Sequence, residues 1–185
     1  LWESDGAATD RIVAAYTAAD DAVLDNHLVE EDLATNAAHV RMLAASGYLA
    51  AGESRAILAE LVRIRDLWRQ GRFVVQPDDE DVHTKIENAV TDAIGEPGRR
   101  IHTGRSRNDQ VLTDLRIFLR RRLIAVAGRA IALAGEFADF AGRHADVAMP
   151  GYTHMQRAMP SSVGLWAGAF AEALTDDSAQ LVQLF

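Results

Sequence analysis

The densest group of polar side chains in the chain is His102-Thr103-Gly104-Arg105-Ser106-Arg107-Asn108-Asp109-Gln110. Two guanidiniums, two hydroxyls and an amide gathered there make a cradle for a carboxylate or phosphate. A long amphipathic pattern begins at once after it, and the N-terminus of a helix adds unpaired N–H groups and a partial positive charge. The surrounding charge agrees. Between Arg99 and Arg129 nine arginines stand against two acids, Asp109 and Asp114, an excess of +7, which leaves −15 for the rest of a chain whose net charge is −8. An acidic chain with one cationic stretch points to a localised anion site. Arg120, Arg121 and Arg122 read as the solvated basic face of the helix that follows.

A second group, Gly151-Tyr152-Thr153-His154-Met155-Gln156, lies in a turn outside the helical patterns. A histidine between polar neighbours that can orient it is equipped for general acid or base work. A third, Glu80, His83 and Glu87, falls on one helix face by its spacings of three and four. Glu-x-x-His is half of a carboxylate-bridged two-metal site. The second half is missing, since none of the other five histidines has a glutamate three residues before it. The group therefore reads as a polar helix face with an internal ion pair, and no metal is expected. Without cysteine or a nucleotide-binding glycine pattern, no cofactor is expected either.

The elements that must position these groups are helical almost throughout. Apolar stripes run through Ile12, Tyr16, Ala19 and Val23; through a segment ending near Ser46; through Ile57, Leu61, Ile64 and Trp68; and through Val82, Ile86, Val90 and Ala93. Gly47, Gly71 and Gly95 stand where these helices should stop, and Pro97-Gly98 predicts a turn. Phe73-Val74-Val75 is the only strand-like run. Ser106 and Asp109 fit a capping box, and the stripe from Leu112 through Leu115, Leu119, Leu123, Val126, Ala130, Leu133 and Phe137 to Phe140 predicts one helix of nearly 40 residues, about 60 Å long. A second long helix is expected from near Pro160, with Gly164, Ala167, Gly168, Ala169 and Ala171 small enough for a partner helix to approach closely. The fold class is therefore all-α: a domain of short helices over 1–104, then the start of a long-helix bundle over 105–185. Two long apolar stripes with few partners predict self-association.

Composition limits the function classes. Apolar types make up 49% and charged types 25% of 185 residues, which excludes disorder and suits a buried core. No run of about 18 apolar residues occurs and no signal peptide is visible, so neither a membrane nor secretion is expected, and a cytoplasmic location is. The net acidity argues against a nucleic-acid partner.

Taken together, the motifs resemble a known family. Thr103 through Val111 and Met149 through Gln156 resemble argininosuccinate lyase, of the fumarase/aspartase superfamily. Glu80-Asp81-Val82-His83 with Ile86-Glu87 matches a third motif, and Asp32 with Ala38-His39 resembles a fourth. The resemblance implies an all-helical homotetramer built around a long-helix bundle, with active sites shared between subunits. It implies elimination of arginine from argininosuccinate to give fumarate, the last step of arginine biosynthesis. Arg107 and Asn108 would bind a substrate carboxylate with Ser106 and Thr103 in support. Thr153 would contact substrate, His154 would be the acid/base residue, acting as base or as acid, and His83 would orient substrate.

Departures from the family pattern accompany the likeness. The opening Leu1-Trp2-Glu3-Ser4-Asp5-Gly6 replaces the usual Leu-Trp-Gly-Gly-Arg-Phe, so the substrate-contacting serine near it is not placed. Met159 and Leu165 stand where many members carry glutamine and histidine. The glycine-serine-serine loop ending Met-Pro-Gln-Lys-Lys-Asn-Pro is not among these residues. The chain starts without methionine, and its last helical pattern is still running at Phe185. It is expected to correspond to roughly the first 40% of such an enzyme, by resemblance, and to be inactive alone. A lyase for another fumarate adduct such as adenylosuccinate, and a non-catalytic structural fragment or paralogue, are the alternatives.

Overall fold

The computed structural model describes residues 16, 21–76 and 79–184. Helix accounts for 71% of the described residues, so the all-α class holds. The elements are α1 (Asp21–Asp25), α2 (Val29–Ala45), α3 (Ala51–Arg69), α4 (Val82–Ile94), α5 (Glu96–Arg99), α6 (Arg107–Arg143), β1 (Ala148–Thr153), β2 (Gln156–Ser162) and α7 (Val163–Val182). They fall into two compact units, one up to Phe118 and one from Leu119. Ile12 and Ala19 of the first predicted stripe, and the Leu1–Gly6 opening, lie outside the described residues.

In the first unit the stripes of α2, α3 and α4 close on each other. Val29, Val40, Ile57, Ile64, Val82, Ile86 and Val90 are fully shielded, and Ile101 joins them from the connector before α6. The strand-like Phe73–Val75 is extended but pairs with no strand. The Asn26 amide takes the partner's place, accepting from Val75 N–H at 2.8 Å and donating to Val75 C=O at 3.0 Å, while Phe73 and Val75 turn into the core. The turn predicted at Pro97-Gly98 is a single helical turn, α5, with proline in its first positions, where a missing N–H costs nothing.

The second unit contains the rest of α6, the β1–β2 hairpin and α7. Helix α6 runs 37 residues from Arg107, about 55 Å by its rise, as its unbroken three-and-four spacing predicts. The hairpin departs from the sequence pattern, which predicts a turn at Met149–Tyr152 and a helix from near Pro160: the segment instead forms two antiparallel strands with Ala148 opposite Ser162 and Thr153 opposite Gln156. Short strands with two prolines and no alternating pattern carry little sequence signal. The register slips between Pro150 and Tyr152, and Gly151 sits there because a Cβ would come within 2.8 Å of the Met159 carbonyl oxygen. Helix α7 begins three residues after Pro160, where the Ser162 hydroxyl accepts from Leu165 N–H at 3.0 Å. The expected close approach of small residues is made at Gly164, whose missing Cβ would lie 2.6 Å from Ala141 C=O and Ala145 Cα of the α6 end and its exit. Phe137 stacks on Phe170 with ring centroids 5.4 Å apart.

Candidate functional site

Three helices and one connector build the polar cluster of the first unit. Asp81 caps α4, accepting from Thr84 N–H at 2.6 Å, and the helix it starts places His83 in its first turn, inside the core. Ser106 caps α6 through Asn108 N–H at 3.3 Å, one position short of the Asp109 N–H that a capping box would use. From that start Arg107, Gln110 and Asp114 follow at spacings of three and four, so one face of α6 presents all three. Helix α2 presents Asp32, Thr35, Asn36 and His39 by the same rule.

The side chains interlock. His83 Nδ1 lies 2.9 Å from Asp32 Oδ1 and 3.6 Å from Asp114 Oδ2. The Gln110 amide donates to the same Asp32 Oδ1, Asn36 donates to Asp32 Oδ2 at 2.9 Å, and the Thr35 hydroxyl donates to Asp114 Oδ1. Arg105 reaches Asn36 Oδ1 at 2.6 Å. Arg107 spans the cluster's edge, donating to Gln110 Oε1 at 3.4 Å and Thr84 Oγ1 at 3.3 Å, with Asp81 and Glu87 each 3.9 Å away. His39 meets the Thr103 carbonyl at 2.9 Å, which ties the connector to α2.

Burial of two carboxyls beside one imidazole separates their protonation. For Asp32, burial favours the neutral form, but the His83 hydrogen bond and charge, with Gln110's donation, outweigh it and hold the carboxyl below its usual range. Asp114 is pushed up to about 7, by burial first and then by the negative charge of Asp32. Burial alone would depress His83; the Asp32 hydrogen bond and the charges of Asp32, Asp81 and Asp114 raise it instead. Burial lowers His102, with Arg105 and Arg107 adding to the effect. Asp32 is thus shifted toward its ionised form and His83 toward its protonated form, while Asp114 is close to half-protonated near neutral pH.

Asp32, His83 and Asp114 bring potential metal ligands within 4.8 Å of one another. Their atoms are spent differently: Nδ1, which would ligate, carries the proton that binds Asp32, and Thr35, Asn36 and Gln110 occupy carboxylate lone pairs. The donor set fits a hydrogen-bonded cluster rather than a metal centre.

Of the residues singled out from sequence, Thr103, Ser106, Arg107, Asn108 and His83 come together in the first unit. Ser106, Asn108 and Thr103 are exposed, Arg107 is half-buried and His83 is buried. Glu80 precedes α4 and Glu87 faces Arg107, while His83 pairs with Asp32 across 51 residues. Thr153 and His154 belong to the second unit. There Thr153 and Gln156 close the hairpin around His154 and Met155, which take φ of +49° and +61°. Positive φ at both central residues is a type I′ turn, normally filled by asparagine and glycine. Histidine and methionine there cost about 1–2 kcal/mol each, a strain found chiefly at functional sites. Asp114 is not marked out by the sequence as a site member, although it follows Arg107 and Gln110 at helical spacing; Gln110 stands there only as the end of the polar stretch, and Asp32 only beside Ala38-His39.

This geometry sits in a sequence with clear relatives. A lyase family profile matches residues 5–185. The chain belongs to this lyase family. Argininosuccinate lyase of Phocaeicola vulgatus is 43% identical over 185 residues, covering 100% of this chain and 41% of that protein. The Sorangium cellulosum argininosuccinate lyase is 46% identical over 176 residues, 95% of this chain and 41% of that one. The chain thus spans about two-fifths of the length of these relatives. Among solved structures, a variant of EDDS lyase with bound fumarate superposes with a TM-score of 0.73 at 27% identity, over 97% of this chain and 35% of that one. The 3-carboxy-cis,cis-muconate lactonizing enzyme from Pseudomonas putida, at 22% identity and a TM-score of 0.70 over 94% of this chain and 41% of its own, shares the fold. Among the described residues no helix is long and apolar enough to cross a membrane.

Proposed function

We propose that this chain works in an argininosuccinate lyase, releasing arginine and fumarate in arginine biosynthesis in the cytoplasm. One observation carries the reading. In a chain 43–46% identical to two such enzymes, Arg107 and Asn108 stand at the mouth of a 37-residue helix, and Arg107 is joined through Gln110 and Asp32 to His83.

The reaction removes a proton from the carbon beside a substrate carboxylate. The electron pair left behind becomes the double bond of fumarate as the carbon–nitrogen bond breaks, and the departing guanidino nitrogen takes a proton. The carboxylate next to the reacting carbon gains charge as the first proton leaves. Arg107, Asn108 and the first N–H groups of α6 answer that charge with fixed donors, and Ser106 and Thr103 hold the loop that carries them. His154, presented on its strained turn beside Thr153, moves a proton. His83 orients the substrate. Most of α6 lies between Asn108 and the Thr153–His154 turn in the chain, which supports a homotetramer whose sites draw on several subunits.

The test is a chimera in which this chain replaces the matching 41% of the Phocaeicola vulgatus enzyme. Fumarate release from argininosuccinate, and none from adenylosuccinate, is the expected result. Activity on adenylosuccinate alone would move the chain to another fumarate adduct, and no activity from a folded tetramer would favour a structural role. Residues 1–185 alone should release no fumarate.

A further inference from the structure

Three buried side chains, Asp32, Gln110 and Asp114, lie outside the roles assigned above, and all three are at most 1% exposed. A buried carboxylate is costly unless its lone pairs are filled. Asp32 fills them with His83 Nδ1 and Gln110 Nε2 on one oxygen and Asn36 on the other. Each of these partners leads on. The other end of the Gln110 amide accepts from Arg107, and Asn36 accepts from Arg105.

We propose that Asp32 is the positioning residue of this site, clamping His83 at Nδ1 and, through Gln110, tying the imidazole to the Arg107 guanidinium. The proposal deepens the lyase reading and rests on it for what His83 and Arg107 do.

The chemistry of the contacts sets the consequences. An ionised carboxylate only accepts, so Nδ1 carries the ring proton and Nε2 is the nitrogen left for other work. Among the described residues no hydrogen bond engages Nε2. Turning the ring over would set a C–H against Asp32 and forfeit the bond. The Gln110 amide is likewise fixed, its N–H₂ toward Asp32 and its oxygen toward Arg107. Asp114 stands behind, held by Thr35, with Oδ2 lacking a hydrogen-bond partner. The charges that act on His83 are Asp32 from α2, Asp81 at the N-cap of α4 and Asp114 from α6; Arg105 faces Asp32 and Asp114, and Arg107 faces Asp81 and Glu87.

Nitrogen-15 NMR of the histidine rings in the full chain tests the clamp without any substrate. His83 is expected to titrate above the ordinary histidine midpoint and, once neutral, to keep its proton on Nδ1. In Asp32→Asn the midpoint should fall by about 1–3 pH units and the tautomer preference should vanish, while Asp114→Asn should leave the tautomer unchanged. An Nε2–H tautomer in the wild-type chain would overturn the proposal even if Asp32→Asn does not fold, and so would an unchanged midpoint in a folded Asp32→Asn. In an active chimera, Asp32→Asn should lower kcat/KM by about 10- to 150-fold, the loss of a bond to a charged group; unchanged kinetics would overturn the positioning role. A chimera without lyase activity, beside an intact clamp in NMR, would instead refute the lyase reading alone.

Discussion

Up to Phe118 the apolar stripes meet one another, and residues such as Val29, Ile57, Val82 and Ile86 lose all exposure. Beyond Leu119 the same kind of stripe stays open. Leu119, Ile124, Val126, Ile131, Leu133, Leu165 and Trp166 each remain about half exposed or more, and the fully buried positions are small: Ala127, Ala134, Gly164, Ala167 and Ser178. Both regions obey helical periodicity, so periodicity does not distinguish a finished core from a surface waiting to be covered. What distinguishes them is connectivity. Short helices with tight turns fold back onto each other, whereas a 37-residue helix with a hairpin and one companion outruns the partners its own unit offers. The polar cluster follows the same division: the first unit buries its charges in a closed network, and the second holds His154 out on a strained turn.

The largest effect is expected at the exposed end. His154→Asn in the chimera should lower kcat by about 10²–10⁴ with substrate binding nearly intact, a result read from steady-state kinetics; a loss confined to KM would remove His154 from the proton transfer. Paired truncations test the two interiors. Ile86→Ala should cost about 2–5 kcal/mol in urea unfolding, whereas Leu133→Ala should change monomer stability by about 0.5 kcal/mol or less, its cost showing instead in self-association measured by sedimentation.

Next comes pH. Asp114 has a folded-state pKa raised from 3.8 to about 7. The stability it contributes is present below pH 3.8 and lost as pH rises through 7. His83 is also raised, so its contribution is complete below 6.5 and fades above. Asp32 is lowered, and its contribution disappears as pH falls through its depressed value. The first unit should therefore be most stable in mildly acidic solution. Asp114→Asn should flatten the decline toward pH 8, by on the order of 1–4 kcal/mol. Urea midpoints rising steadily from pH 5 to pH 8 would contradict this. Smaller still is Asn108→Ala, expected to cost about 10- to 150-fold in kcat/KM, part of it in kcat because the carboxylate it binds gains charge in the transition state.

How much of this could be read from sequence differs between the regions for physical reasons. The 37-residue helix, the helix ends at Gly47, Gly71 and Gly95, and the capping role of Ser106 follow from local chemistry and were legible. The hairpin was not, because Pro150 and Pro160 mask strands held only by each other. Of the cluster, His83 and Arg107 carried recognisable motifs. Asp114 stood out only as one of two acids in an arginine-rich stretch, and Asp32 lay in the run Glu30-Glu31-Asp32, where an acid ordinarily faces water. Their pairing with His83 spans 31 and 51 residues, a distance over which spacing says nothing.

The shared-site reading proposed above has Asn108 and His154 serving one reaction from different subunits. Mixing Asn108→Ala and His154→Asn chimeras under conditions of confirmed subunit exchange, with fumarate release compared to that of each parent alone, puts it to the test. Hybrid tetramers would assemble some sites free of both defects, so release should exceed the summed activity of the two parents. Release no greater than that sum from confirmed hybrids would rule the shared site out.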